Sequence, residues 1–466
     1  MKTALKNTVS VAGADAASRL LGFLVTAYLG RTLGVAAFGM MNIGLSVLGY
    51  ALLFSSPGLQ AIGTRDVAAG TAGESTYAGR MLSLRLVLSV VFTACTAILC
   101  AVLPGDSEQR IVIVVFTSTS LAAALSLDWY YQGRERLGVV SAGKIIMYIL
   151  YLAAVVLFVS SSQDVVWSGV AFLIGTLGAS LWMMAVYRKD FGALRFSWDW
   201  NAWKARLHDG LPIGFSLLLA QTIMNLPVLI VGVIFASSET GLFSAAMKLI
   251  YFLLMIDRVF YAVFLPAISR VRDDAQKFGE TAAMGIKVVL AVCVPVAAIG
   301  AAFAAPIVGL VYGAGYADAA PAFCLLLPFV VCTVLNTVAM GTLVAVRREK
   351  EYLVIMAVGT GILVVLCVLL TSTMGIAGTA LSITVGEAAM SVMFLVKLRA
   401  VVAASALRSL AAAALGGAVM LAILLSLKSV PAPVTMIAAL VSFAIVVPAA
   451  GGWTMGDLRY FRQRFL

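Results

Sequence analysis

The chain has 466 residues, 62% of them hydrophobic and only 11% charged, with a mean hydropathy of +1.05 and a formal net charge of +11. A soluble domain carries roughly a quarter charged residues, so no water-soluble core of this size would hide so much apolar surface; the bilayer is the solvent indicated. The basic residues fall in short clusters between apolar runs, as in the cytoplasmic loops of membrane proteins, which argues against a nucleic-acid partner.

At the N-terminus, Lys2 and Lys6 precede an apolar stretch, as in a signal peptide. Asp15 and Arg19 interrupt that stretch and no small-residue cleavage site follows, so it is predicted to be a retained first span. Runs long enough to cross a bilayer fall at 8–30, 35–56, 82–103, 110–127, 139–160, 165–187 and 211–236. Seven more follow at 241–265, 282–304, 320–346, 351–371, 375–396, 407–427 and 433–450. A spanning segment must satisfy its own backbone, and no alternating barrel pattern appears, so the predicted class is all-α with about fourteen transmembrane helices.

Numbered from a cytoplasmic N-terminus, the inside loops collect all but six of the 32 Lys and Arg, Arg85, Lys144 and Lys287 among them. The exceptions are Arg31, Arg110 and Lys428 outside, with Arg19, Lys248 and Arg258 within spans. Both termini are therefore expected in the cytoplasm. Between the sixth and seventh spans, Trp198, Trp200 and Trp203 alternate with Lys204 and Arg206, which suits a short amphipathic piece at the headgroups as well as an ordinary loop. A shift of 202 residues lays Gly30 on Gly232, Gly39 on Gly241 and Arg19 on Gln221, a hint of a parallel repeat of six spans.

Ionisable groups at membrane depth are costly and normally face a partner or a wet cavity. Six lie within spans: Asp15, Arg19, Lys248, Asp257, Arg258 and Glu387. Asp15 and Arg19 share a helix face, and ten residues of α-helix put Lys248 and Arg258 within roughly 80° of each other. Arg19, Lys248 and Arg258 are the candidate diphosphate-binding residues of a cationic chamber; the bland alternative is interhelical pairing. Gln221 and Asn225, on one face before Pro227, are candidate cavity residues, and Asp15, Asp257 and Glu387 are candidates for ion coupling. The six cysteines lie in apolar runs without a CxxC pair and the sole histidine is His208, so neither a metal, a disulfide framework nor a cofactor is expected. No catalytic constellation, Gly-rich phosphate loop or GxSxG elbow is present, and an enzyme is not expected.

Several stretches resemble the polysaccharide-transport family, the Wzx-type flippases within the multidrug/oligosaccharidyl-lipid/polysaccharide exporter superfamily. They are SRLLGF (Ser18 to Phe23), LGRTLGVAAFG ending at Gly39, GLFSAAMKL from Gly241, LPAISR from Leu265 and LVYGAGY from Leu310. The most specific is DWYYQGRE, in which Asp128, Trp129, Gln132, Gly133 and Glu135 match the family pattern. The resemblance implies two six-helix lobes around a V-shaped cavity, with two extra C-terminal helices. The corresponding divisions are 1–195, 196–400 (with the interfacial segment) and 401–466. It also implies a multi-pass protein of the bacterial inner membrane whose cargo is an undecaprenyl-diphosphate-linked oligosaccharide, carried by alternating access. A polysaccharide polymerase and a chain-length regulator would be its protein partners. A multidrug or lipid II-like exporter of the same superfamily, and a membrane-embedded glycan polymerase or transferase, are the alternatives.

Overall fold

The computed structural model describes residues 2–70, 75–102, 105–399, 404–427, 430–454 and 456–457, without the side chains of 2–12, 14–16, 75 and 404–407. Among the described residues there are sixteen α-helices and no strand. Twelve helical segments are long and apolar enough to span a bilayer. Two of these, α1 (Lys2–Ser55) and the later Glu349–Leu398 helix, each join two of the predicted runs across a single glycine, which accounts for all fourteen. The joints are Gly34 (φ 72°) and Gly375 (φ 62°); a side chain would strain both conformations.

Contacts divide the chain into Met1–Ser244 and Ala245–Leu466, a boundary that falls inside one helix. In the first unit α1 is followed by α2 (Leu59–Ala68), α3 (Ser75–Val102), α4 (Ser107–Ala124) and α5 (Asp128–Gly133). Then come α6 (Leu137–Phe158), α7 (Val165–Phe191), α8 (Trp200–Ile234) and the start of α9 (Ser237–Leu253). α1 packs on α3, α4, α6, α7 and α8. α8 stays helical through both Pro212 and Pro227.

Between lipid-soluble helices there is no hydrophobic drive to associate, so close backbone approach by small residues matters more. A Cβ on Gly39 of α1 would lie 1.8 Å from the Ser237 carbonyl oxygen, and one on Gly241 of α9 would lie 1.9 Å from that of Val35. The 202-residue shift carries Val35 onto Ser237 and Gly39 onto Gly241, so the two glycines that the shift superposes clamp one another reciprocally.

The Asp66 carboxylate fastens α2 to its neighbours. Arg206 Nη1 of α8 donates to Oδ2 at 2.7 Å, Tyr77 Oη of α3 donates to the same oxygen at 3.0 Å, and the guanidinium sits 5.5 Å above the Tyr77 ring. Trp203, on the first turn of α8, is buried in the adjoining core, whereas Trp198 and Trp200 are 74% and 69% exposed. The tryptophan-rich segment therefore divides: two indoles face outward and one locks the helix start.

The second unit continues with α10 (Met255–Ser269), α11 (Ala275–Ala302), α12 (Ala304–Tyr312), α13 (Ala320–Ala345), α14 (Glu349–Leu398), α15 (Ala404–Ser426) and α16 (Ala432–Ala449). α13 packs on α10, α11 and α14, and α15 on α11 and α16. Lys287, inside α11 and 5% exposed, forms an ion pair at 2.7 Å with Asp457, beyond α16. Thr454 receives that carboxylate as well, through its N–H at 2.7 Å and its hydroxyl at 2.8 Å.

Candidate functional site

The first unit encloses a cavity of about 600 Å³ whose whole lining comes from that unit. That size suits a small-molecule site. Three ionisable groups line it: Arg85 from α3, Asp128 from α5 and Lys144 from α6. Two cations and one acid leave a net single positive charge. Around them stand the side-chain oxygens of Ser55, Ser56, Gln60, Thr119, Ser120, Ser126, Thr176, Ser180 and Gln221.

Each charged group is positioned by its helix. Arg85 is 3% exposed; its Nη1 donates to Ser126 O and its Nη2 to Ala123 O, both at 2.8 Å. Those carbonyls lie at the end of α4, where the helix dipole favours a cation; Ala123 O also accepts from Ser126 N–H at 3.0 Å, whereas Ser126 O lies past the last helical turn. α4 stops there, and Asp128 begins α5 with its N–H donating to Ser126 Oγ at 3.3 Å. One carboxylate oxygen, Oδ1, is buried with no hydrogen-bond partner, while Arg85 and Lys144 both act on the group electrostatically. Lys144 is the exposed cation of the wall. A phosphate or acidic sugar would meet Lys144 first, and sugar hydroxyls would find acceptors and donors in the serines, threonines and Gln221.

The sequence-predicted residues are distributed as follows. Gln221 lines the cavity, and Asn225 Nδ2 donates to its Oε1, which confirms the shared face. Arg19 lies on α1, half-buried and engaged in an interaction, but is not in the lining; the Asp15 side chain lies outside the described residues. In the second unit, Lys248 is partly exposed and Arg258 exposed. Asp257 lies beside Arg258 and Thr337, with its Oδ1 buried and unpartnered. The angular relation expected between Lys248 and Arg258 assumed one continuous helix. The structure breaks it at Leu254, between α9 and α10, so residue counting across the joint no longer fixes their faces. Glu387 of α14 is 6% exposed and accepts a hydrogen bond from Asn336 Nδ2 at 3.0 Å.

Of the family motif, only Asp128 faces the cavity. Trp129 is buried against Gly63, where a Cβ would come within 2.4 Å of its ring, and Gly133 is pressed on α2 at Thr64 O and Val67. Gln132 is exposed, and Glu135 turns the chain with φ 57°. Arg134 covers the Tyr130 and Phe191 rings, and Arg136 pairs with Asp190. The motif is a packed corner that presents one carboxylate.

Reading by loops missed Arg85 and Lys144. Both were assigned to inside loops, although they fall within the runs 82–103 and 139–160. That placement was the available signal: a cation within a run has entered a helix.

Comparison with known proteins agrees with this architecture. An Escherichia coli (strain K12) protein described as "Putative O-antigen transporter" is 20% identical over 244 residues, 52% of this chain. The chain spans 59% of that relative's length. Among solved structures, a lipid II flippase MurJ in an inward closed conformation superposes with a TM-score of 0.78 at 12% identity, covering 98% of this chain and 99% of that one. A multidrug resistance MATE family transporter in its inward-facing conformation gives 0.63 at 18% identity, over 82% and 94% of the two chains. These likenesses show that the chain shares the fold of those two proteins. Residues 4–272 match the family described as "Polysaccharide biosynthesis protein". This multi-pass membrane chain belongs to that polysaccharide biosynthesis family.

Proposed function

We propose that this protein is a flippase of the bacterial inner membrane. It moves an undecaprenyl-diphosphate-linked oligosaccharide repeat unit from the cytoplasmic to the outer leaflet by alternating access, while the lipid tail stays in the bilayer. The observation that carries the reading is the cavity in the first unit: net positive, ringed by hydroxyls, and built from spanning helices. The family and the relative named as an O-antigen transporter support the cargo class. In this reading Lys144 receives the anionic head, Arg85 holds the positive potential behind it, and Arg19, Lys248 and Arg258 meet the diphosphate at other stages. The reaction is transport without bond-making, in company with a polysaccharide polymerase and a chain-length regulator.

The test is reconstitution of the full chain into liposomes with a fluorescent polyprenyl-diphosphate oligosaccharide, followed by lectin or periodate access from outside. Protein-dependent exposure of the glycan is expected. Export of cationic dyes without glycan exposure would transfer the assignment to a drug exporter. Orientation is tested at Gln132, which is exposed, and not at the tightly packed Gly133. In intact cells Gln132→Cys should resist an impermeant thiol reagent if the termini are cytoplasmic.

A further inference from the structure

The second unit contains a buried acid that the cavity does not use. Glu387 lies beyond the Gly375 joint of α14, and among the described residues the one charged group acting on it is another acid, Asp257 of α10. Asn336 Nδ2 of α13 donates to its Oε1 at 3.0 Å, and Asn336 Oδ1 in turn accepts from Ser391 Oγ at 2.8 Å. Ser391 Oγ also lies 3.1 Å from the Glu387 carbonyl oxygen, so the three residues form one closed network between α13 and α14. A bare carboxylate taken from water costs several kcal/mol unless a cation accompanies it, and a neighbouring carboxylate adds to that cost. The remaining titratable and charged neighbours do not supply one: Cys332 on α13, Tyr352 on the first half of α14, and Arg258, which sits beside Asp257. From α11 and α15, Ala282, Ile286 and Leu410 close the adjoining space.

We infer that Glu387 is a proton-binding site, loaded in this arrangement of the second unit and unloaded to water during each transport cycle. The bond broken on unloading is O–H; both electrons stay on the carboxylate and the proton passes to water. Asn336 turns an N–H toward the acid and gives its oxygen to Ser391, and the Thr333 hydroxyl stands beside the carboxyl; this set holds a protonatable acid, and the sodium arm of the test below separates a proton from a sodium ion. The single-glycine joint at Gly375 lets the second half of α14 shift against α13 and open the site. The inference goes beyond the cargo and holds for any substrate.

Infrared difference spectroscopy on the purified full chain in lipid vesicles, between acidic and alkaline buffer, tests it. A protonated-carboxyl band should appear in acid, vanish in Glu387→Gln and persist in Asp257→Asn. Asn336→Ala should keep the band at higher wavenumber, because the carboxyl loses its hydrogen bond. In the liposome assay, Glu387→Gln should lose acceleration by a pH gradient at least tenfold. A band that survives Glu387→Gln, that ignores pH, or that sodium abolishes at fixed pH overturns the site. If Glu387→Gln is not produced, an unshifted band in Asn336→Ala does the same. A pH-sensitive band without glycan flipping supports the proton site and rejects the cargo.

Discussion

Arg85 and Lys287 are both cations buried inside spanning helices, at 3% and 5% exposure, yet the two units satisfy them differently. Arg85 is held by two backbone carbonyls, and the one acid that acts on it, Asp128, is shared with Lys144, so the trio keeps one positive charge. Lys287 is held by the Asp457 carboxylate, which cancels it. The first arrangement keeps a positive potential at the edge of a cavity; the second is electrically quiet and serves packing. Depth and burial alone therefore do not mark a functional charge; the chemistry of its partner does.

The sharpest test of that contrast is Arg85→Ala, which strands the Ser126 carbonyl, since Ala123 O keeps its bond from Ser126 N–H, and leaves Asp128 without its buried cation. At about 1–3 kcal/mol for an unsatisfied buried acceptor and a similar cost for the carboxylate, a stability loss of about 4 kcal/mol is expected, with transport abolished. Denaturant unfolding in micelles measures it, and a loss below about 1 kcal/mol would show that neither group needs the guanidinium. Gly39→Ala follows. Its Cβ would meet the Ser237 carbonyl, so α1 and α9 must part, at a cost of about 3 kcal/mol by the same assay.

Asp457→Asn should cost about 2 kcal/mol, less than breaking a fully buried pair because Asp457 keeps some solvent contact, and transport by the folded fraction should be unchanged. Burial pushes the Asp457 carboxyl up, but the bonds from Lys287 and Thr454 outweigh it and hold the group below the usual carboxylate range. Its contribution is therefore complete at neutral pH and lost as pH falls through that lowered value. The wild type should lose stability in acid along a limb that Asp457→Asn lacks. Lys144→Gln is the mildest: under about 0.5 kcal/mol in stability, with transport roughly tenfold slower and Lys144→Arg near normal. If Lys144→Gln flips its lipid at the normal rate, the cavity charge has been misassigned.

Most of the fold was readable because hydropathy is a property of single segments. All fourteen runs became helix, and even the run pairs that meet at Gly34 and Gly375 were separated correctly. The site was less readable because its residues meet across helices. Gln221 and Asn225, four apart on one helix, were paired by periodicity alone. Arg85 and Lys144 come to Asp128 from α3 and α6, and no spacing rule links them. The break at Leu254 and the inward turn of Trp203 are likewise set by neighbouring helices.

The mutual clamp of Gly39 and Gly241 has the form of a dimer contact folded into one polypeptide. Each glycine meets a carbonyl of the segment that carries the other glycine, at nearly equal distances. That is an isologous interface, in which the same patch serves both partners. One consequence concerns compensation. In a heterologous joint, enlarging one side can be answered by shrinking the other. Here the obstacle on either side is main chain, which no substitution trims. Gly39→Ala and Gly241→Ala should then be equally damaging, and second-site suppressors of either should arise away from the crossing.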